Sequence, residues 1–255
     1  MLQGLYLSAQ GADVQSKRLD VLSNNLANAS STAFKRDLAV FQTHRPFDVE
    51  QGNTQTVSGN LNDSAGGLSL AEVVTDFSDG PLEETNGRFD LALTGSGFFQ
   101  VSDGQNEFLT RDGSFLLNTS GELITQETGL QVMGTEGPLN FPADVTDVDI
   151  SRDGIVTGMF ADGSRTNIGK LALAEPESYA SLKKLGSGLF QTDGAVQPAG
   201  PELTVRQGFL EASTTRPVLE MMDLIQTSRA FEANINVIKL QEDSLGQLLQ
   251  SMGGR

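Results

Sequence analysis

Several short segments of this sequence carry residue types that could bind a cofactor, hold a metal ion or form a covalent intermediate. Residues 95–97, Gly-Ser-Gly, begin like a dinucleotide-binding loop, but Gln100 stands where that loop needs its third glycine. Residues 149–154 place oxygen-bearing side chains at alternate positions, like the start of a calcium loop. Position twelve of that loop must supply a bidentate carboxylate, and here it is Phe160. Both segments therefore favour ordinary strand-and-turn structure.

Nucleophilic and acid–base pairs are equally incomplete. Ser181 and Lys184 have the Ser-x-x-Lys spacing of acyl-transferring serine enzymes, but the sequence lacks the Ser-Asp-Asn and Lys-Thr-Gly elements that accompany it. Glu83 and Glu84 could act as the acid and base of glycoside hydrolysis, although 33 acidic residues make such neighbours inevitable. His44 is the single histidine and cysteine is absent, so only carboxylates remain as strong metal ligands. We predict no catalytic, cofactor-binding or metal-binding residues.

The charge balance limits the class of partner. A net charge of −16 argues against nucleic acid, whose phosphates need a basic surface. Residues 1–36 and 213–255 together are almost neutral, so nearly all of the negative charge lies between them. Such ends can pack side by side with little repulsion. No run reaches the ~18 apolar residues of a membrane span, and the first residues lack the basic and apolar blocks of a secretory signal.

The last forty residues hold the longest regular pattern in the chain. Steps of three and four residues from Met221 to Met252 reach eight apolar side chains in ten positions, with interruptions at Ser228 and Glu242. Pro217 suits the first turn of a helix, where its missing N–H costs little. The pattern predicts a helix over 217–252, about 54 Å long at ~1.5 Å per residue. Apolar residues at this spacing are more often ordinary core, but a stripe of such length needs a partner beyond one compact domain.

The first thirty residues mirror this pattern. Leu5, Ala12, Leu19 and Leu26 recur every seven residues, which predicts a second heptad-like helix. Small residues at positions 9, 11 and 12 would let a neighbour approach closely. The Asn-, Ser- and Thr-rich segment that follows predicts the end of the helix and a turn.

The middle of the chain changes to a period of two. Alternation begins at Arg88, and Gly-bearing turns such as Asp103-Gly104, Asp112-Gly113 and Asp162-Gly163 separate short apolar segments. The predicted strands are residues 98–101, 108–111, 115–117, 123–125, 148–151, 155–160, 203–205 and 208–211. One short helix is predicted where Tyr179, Leu182 and Leu185 share a face. Spacing of roughly ten residues predicts a mostly antiparallel domain.

These patterns predict an α+β chain with four segments. They are an N-terminal helix at 1–33, an extended linker with short strands at 34–87, a β-rich domain at 88–212 and a long C-terminal helix at 213–255.

Two blocks of sequence carry a resemblance to a known family. The N-terminal block consists of Ser23, Asn24, Asn25, Leu26, Ala27 and Asn28, followed after a Ser-Thr-Ala turn by Phe34, Lys35 and Arg36. It resembles the signature of the bacterial flagellar rod and hook proteins. Residues 95–101, 110–115 and 121–123 resemble the central strands of that family, and residues 208–213 and 220–234 resemble its C-terminal block. Together these motifs span nearly the whole chain. The chain departs from the pattern at Ala33, where the family usually has Gly, and at 214–215, where it usually has Asn-Val.

The resemblance implies a structural role. In this family the terminal helices pair as an antiparallel coiled coil and pack with neighbouring subunits into an inner tube, while the β domain forms the outer layer. The expected partners are copies of the chain, other rod and hook subunits, and the flagellar type III export apparatus. The expected location is the basal-body rod crossing the periplasm, reached without signal cleavage. The tube would transmit torque from motor to hook, with no cofactor, nucleic acid or membrane insertion.

Carried over residue by residue, the resemblance implies an assembly interface on both terminal helices. Its expected members are Leu5, Leu19, Leu22, Leu26, Met221, Ile225, Phe231, Ile235, Ile238, Leu245 and Leu249. Among rod subunits a proximal one is favoured over a distal one. Two alternatives remain open: a hook-type subunit, and a secreted acidic glycan-processing enzyme with helical oligomerisation ends, which would need two close carboxylates in a cleft.

Overall fold

The computed structural model describes residues 2–43, 68–192 and 194–253, and its chain forms two compact units. The helical unit consists of Met1–Ala27, Asp37–Asp76 and Arg216–Arg255. The β unit consists of Asn28–Arg36 and Phe77–Thr215. The middle of the predicted linker, residues 44–67 with His44, lies outside the described residues. The prediction that the terminal segments form an assembly domain and the β-rich segment an outer domain stays a prediction.

Both predicted terminal helices are present in the helical unit. Helix α1 is Leu2–Ala27 and helix α2 is Pro217–Gly253, which begins with the proline expected in its first turn. Strands β1 (Asp37–Thr43) and β2 (Leu68–Thr75) form an antiparallel ribbon with a register shift between Val40 and Phe41. A two-stranded ribbon is marginal in water by itself, and this one packs against α1, which also contacts α2.

The β unit contains seventeen strands among its described residues. They are β3 Leu82–Glu84, β4 Leu91–Thr94, β5 Phe98–Ser102, β6 Glu107–Thr110, β7 Phe115–Leu117, β8 Leu123–Thr125, β9 Gln131–Gly134, β10 Gly137–Pro138, β11 Val145–Ile150, β12 Ile155–Phe160, β13 Arg165–Lys170, β14 Leu173–Pro176, β15 Leu182–Gly186, β16 Leu189–Thr192, β17 Val196–Pro198, β18 Thr204–Gln207 and β19 Phe209–Glu211. Every pairing between these strands is antiparallel, as predicted.

The strand order shows how the ends of the β unit are brought together. The largest sheet runs β15-β16-β6-β5-β9-β8-β7, with β14 on β5, and β11-β12-β13 form a separate meander. Strand β4 pairs with β18 and β3 pairs with β19, which lie more than a hundred residues later in the chain. These two pairings place the segment leading into α2 beside the segment that follows β2.

Strand β4 is buried on both faces, although its alternating sequence predicted only one buried face. Leu91, Ala92 and Leu93 are all almost completely buried, because side chains cover this strand on both faces. The main core continues through Phe99, Val132 and Val156. A second, aromatic cluster contains Phe98 and Phe190, with Phe77 and Tyr179 packed against it.

Two local predictions for the β unit were wrong. The expected helix at 179–185 is a single 3-10 turn, Tyr179–Ser181, followed by β15. Leu182 packs on the aromatic cluster while Leu185 is half exposed, so this segment has period two and a shared helical face does not exist. Gly113 does not make a hairpin turn either. A Cβ added there would lie 1.7 Å from the carbonyl oxygen of Leu91, so the glycine serves close backbone packing.

Candidate assembly surface

One face of α2 is packed and carries two lines of residues spaced by seven. Leu224, Phe231, Ile238 and Leu245 form the apolar line, and all four are partly buried. Thr227, Asn234 and Gln241 form a polar line beside it, with Thr227 3% exposed. Alternation of four and three residues between the lines is the spacing of a heptad seam.

Two glycines of α1 explain the polar line. A Cβ added at Gly4 would lie 3.1 Å from Nε2 of Gln241, and one added at Gly11 would lie 3.0 Å from Nδ2 of Asn234. Because residues 4 and 11 meet residues 241 and 234, the two helices run in opposite directions. The small residues of α1 leave room for the amide side chains of α2. The packed line of α2 therefore runs through Thr227 and Asn234, one residue before the predicted line through Ser228 and Ile235.

A second apolar surface of α2 is exposed. It comprises the residues of the first two and a half turns that point away from the packed lines: Val218, Leu219, Met221, Met222 and Ile225. We call this surface the Met222 patch. Its side chains are 45–66% exposed. Contiguous apolar side chains on the surface of a soluble chain mark an interaction site more often than isolated ones do.

The structure places the expected assembly residues in two environments. Three of them, Met221, Ile225 and Leu249, are exposed. The others are buried or partly buried within the helical unit: Leu5, Leu19, Leu22, Leu26, Phe231, Ile235, Ile238 and Leu245. Their role in contacts between subunits stays a prediction. The sequence pattern missed Val218, Leu219 and Met222, since they fall between the steps of three and four.

The first half of the N-terminal motif ends α1 and starts β1. Asn25 is 1% exposed, and its side-chain amide donates to the carbonyl oxygen of Asp37 while its oxygen accepts from the Asp37 N–H, both at 2.8 Å. Ser23, Asn24 and Ala27 are exposed, and Asn28 accepts bonds from Ser31 in the turn that follows. Asn25 thus behaves as a structural amide that fixes where the first strand begins.

The second half of the motif is docked on the β unit. Ala33 N–H donates to the carbonyl oxygen of Glu211 at 2.7 Å, and Thr214 N–H donates to that of Phe34 at 3.0 Å. Ala33 has φ of +52°, a left-handed conformation that favours glycine. The alanine that replaces the usual glycine therefore adopts this turn only with local strain.

Lys35 lies in a buried group of charges that we call the Lys35 cluster, formed by Lys35, Asp79, Arg111 and Glu211. Lys35 Nζ is 2.6 Å from Glu211 Oε1, and both side chains are fully buried. Arg111 Nη1 lies 3.6 Å from Glu211 Oε2 and 3.3 Å from Oδ1 of Asp79, which is about half exposed. Burial lowers the pKa of Lys35 and the charge of Arg111 adds to that shift, while Glu211 opposes it. No sequence pattern indicated that residues 35 and 211 would meet.

Asp112 is a second buried carboxyl of the β unit, and it gives a testable pH dependence. Burial raises its pKa, assisted by the charges of Glu127 and Asp90, although bonds donated by the Ser114 N–H and hydroxyl oppose the shift. Because the native pKa is raised, the protonated carboxyl of Asp112 favours the folded state. This contribution to the free energy of unfolding is fully present below the unfolded pKa of 3.8 and is lost as pH rises through the native pKa.

Asp112 lowers the free energy of unfolding of the unaltered chain as its carboxyl ionises between pH 4 and pH 7. We therefore expect this decrease to be absent in Asp112→Asn, whose side chain does not ionise. Asn keeps an oxygen that can accept from Ser114, so the fold should be retained. Urea unfolding at a series of pH values measures the difference. Identical pH slopes for both chains would contradict the assignment, and Asp144→Asn, at an exposed residue of the same unit, is the control.

The candidate chemical motifs do not assemble into a reactive site. Ser181 Oγ donates to the Ser178 carbonyl at 2.7 Å, whereas Lys184 Nζ donates to the Lys35 carbonyl and lies 3.9 Å from the Phe34 ring centroid. Over residues 2–43, 68–192 and 194–253 no group of three or more His, Cys, Asp or Glu side chains could hold a metal ion. Within the same residues, no helix combines the length and apolar character required to cross a bilayer.

Comparison with known proteins connects these features. Residues 5–35 match the family profile described as flagella basal body rod protein. Residues 92–158 match the flagellar hook protein FlgE/F/G D1 domain, and residues 206–251 match the flagellar basal body rod FlgEFG protein C-terminal domain. The flagellar basal-body rod protein FlgG of Buchnera aphidicola subsp. Baizongia pistaciae is 32% identical over 97% of this chain and 99% of its own length.

The chain belongs to the flagellar basal-body rod protein family. Two further relatives extend the range of members. FlgG of Bacillus subtilis is 28% identical over 98% of each chain, and FlgF of Caulobacter vibrioides is 30% identical over 91% of each. The family is one of structural proteins and not of enzymes, and rod and hook subunits of this family assemble with one another. The three matched regions cover most of α1 with Lys35, the strands from β4 to β12, and most of α2 with the Met222 patch.

Proposed function

We propose that this protein is a structural subunit of the flagellar basal-body rod, which polymerises through its terminal helices into a tubular shaft that carries torque from motor to hook. Membership of the rod family carries this proposal. Relatives named as rod proteins cover 95–97% of the chain, which favours the rod over the hook-type alternative. A family of structural proteins disfavours the glycan-processing enzyme.

The helices α1 and α2 act as an antiparallel coiled coil. The spacing of seven in both lines of α2 and the meeting of Gly4 with Gln241 and of Gly11 with Asn234 support this pairing. Polar residues in such a seam fix register at a cost in stability. The seam therefore sets one alignment of the helices, and contacts with neighbouring subunits supply further stability.

The Met222 patch is the contact surface for a second copy of this chain. Each of its side chains gains on the order of 1.5–3 kcal/mol when it passes from full exposure to full burial, so half-exposed residues gain about half of that. Repetition of one such heterologous contact gives an open helical array, as a shaft requires. Other rod and hook subunits occupy the equivalent position at the ends of the array.

The chain reaches the rod by the flagellar type III export apparatus without signal cleavage and lies in the part of the basal body that crosses the periplasm. The near-neutral ends and the acidic middle support side-by-side packing of the helices with the β units outside. A proximal position along the rod stays a prediction.

Mass spectrometry and immunolabelling of purified basal bodies test the function. We expect the chain in the rod fraction in many copies, and cross-linking to identify the neighbouring subunits and thus its proximal or distal position. A chain recovered only outside intact basal bodies would contradict the proposal. Basal bodies from cells lacking the gene are the control, and they should lack the rod segment that the chain builds.

A further inference from the structure

The chain passes between the helical and β units at four places, which are the bonds 27–28, 36–37, 76–77 and 215–216. Three of these passages lead within a few residues to the Lys35 cluster and its neighbours. The segments concerned are 33–36, 78–81 and 211–214. All of them lie in the β unit.

Side chains of the Lys35 cluster join these three segments. Lys35 Nζ donates to the carbonyl oxygen of Ser78 at 2.7 Å and to Glu211 Oε1 at 2.6 Å. Glu211 Oε1 also accepts from the N–H of Gly80 at 2.7 Å. One ammonium and one carboxylate oxygen therefore hold segments that are 43 to 176 residues apart in the chain.

Backbone bonds run parallel to the charged contacts. Ala33 N–H donates to the Glu211 carbonyl at 2.7 Å and Ala212 N–H donates to that of Pro81 at 2.8 Å. Arg36 N–H donates to Thr214 Oγ1 at 3.0 Å. A Cβ at Gly80 would lie 2.3 Å from the Ala212 carbonyl oxygen, so these segments are packed backbone against backbone.

The rest of the β unit holds the cluster from two sides. Arg111 is 2% exposed, donates to the Gly95 carbonyl at 2.6 Å and stands over the Phe98 ring. Lys184 of β15 donates to the Lys35 carbonyl at 2.7 Å and covers the Phe34 ring. The cluster is thus anchored in the large sheet through residues far from the passages.

We propose that the Lys35 cluster is a mechanical clamp, which binds the three segments into one anchor so that force arriving along any of them is shared by the whole β unit. This inference rests on the proposed function, because only a subunit of a torque-carrying shaft experiences such force. A purely apolar contact would exclude water equally well, but it is not directional. Bonds with fixed geometry between three segments resist sliding of one segment past another.

Matched lysine substitutions test the clamp. Lys35→Met removes the central cation of the clamp, and Lys184→Met removes the outer bond from the Lys184 ammonium to the Lys35 carbonyl oxygen. Lys170→Met, at an exposed residue of β13 in the same unit, is the control with the same loss of charge. Each full-length variant replaces the native chain in motile cells, and motor speed is measured on tethered beads under increasing viscous load.

We expect both test variants to enter basal bodies, to rotate normally at low load and to slow or detach at high load. Lys170→Met should match the unaltered chain at every load. In purified protein, the amide hydrogens of Ala33, Gly80 and Thr214 should exchange together about fivefold faster or more, which corresponds to the loss of one hydrogen bond. If Lys35→Met does not fold, Lys184→Met decides the question.

Equal performance of Lys184→Met and the unaltered chain at every load, with unchanged exchange at the three amides, would overturn the clamp. Absence of the unaltered chain from basal bodies is a different result, because it would overturn the proposed function and not the joining of the three segments.

Discussion

Replacing Ile225 with Asp is expected to stop incorporation of the chain into rods while leaving the free chain folded. Ile225 is 52% exposed in the free chain, so the substitution removes only about half of the ~1.5–3 kcal/mol that full burial contributes and should leave the free chain folded. In an assembled apolar contact the carboxylate must either stay charged without water or take up a proton, and both cost free energy. Because Ile225 is already about half buried in the free chain, loss of its contact alone removes about half of the ~1.5–3 kcal/mol for full burial at each interface.

Quantitative mass spectrometry of basal bodies measures the effect. We expect at least about a tenfold decrease, which corresponds to 1.4 kcal/mol. Asn236→Asp introduces the same charge at an exposed residue of α2 outside the Met222 patch and should assemble normally. Rods of normal abundance with Ile225→Asp would show that the Met222 patch does not contact a second copy.

Replacing Glu211 with Leu is expected to be the most destabilising change in the Lys35 cluster. It leaves the buried cations Lys35 and Arg111 facing each other and removes the acceptor of the Gly80 N–H. Loss of one partner from a buried ion pair typically costs about 3–5 kcal/mol. Lys35→Met should cost less, because Glu211 keeps Arg111 as a counter-charge.

The double substitution of Lys35→Met with Glu211→Leu should therefore be more stable than Glu211→Leu alone. Urea unfolding followed by circular dichroism measures the unaltered chain and the three variants, and a double-mutant cycle isolates the coupling. The exposed pair of Asp13 and Lys17 in α1 provides the control, since an exposed ion pair contributes at most about 1 kcal/mol. Strictly additive effects at Lys35 and Glu211 would contradict the geometry.

The spacing of apolar residues and the residue types of the turns allowed much of the fold to be predicted. The heptads of both terminal helices, the start of α2 at Pro217 and the antiparallel central strands are local properties, since each depends on residues within one or two turns of the chain. The predicted helix at 179–185 failed because so short a segment does not define a period, and the packing of Leu182 on the aromatic cluster selects a strand with Leu185 on the opposite, exposed face.

The functional surfaces depended on contacts that no spacing encodes. Whether Met221 or Asn234 faces the partner helix was settled by Gly4 and Gly11, which lie more than two hundred residues earlier and make room for amides. The packed and exposed faces of α2 could therefore be separated only after α1 was in place.

By itself, the sequence determined the family, the helix–β–helix order and the acidic middle between neutral ends, because motifs, periods and charges are readable without knowing which residues meet. The tertiary structure alone decided that Lys35, a residue known from the sequence only as part of a motif, is buried against Glu211 and Arg111. A lysine is normally solvated, and its burial becomes favourable only where the fold supplies a carboxylate and a carbonyl at hydrogen-bond distance.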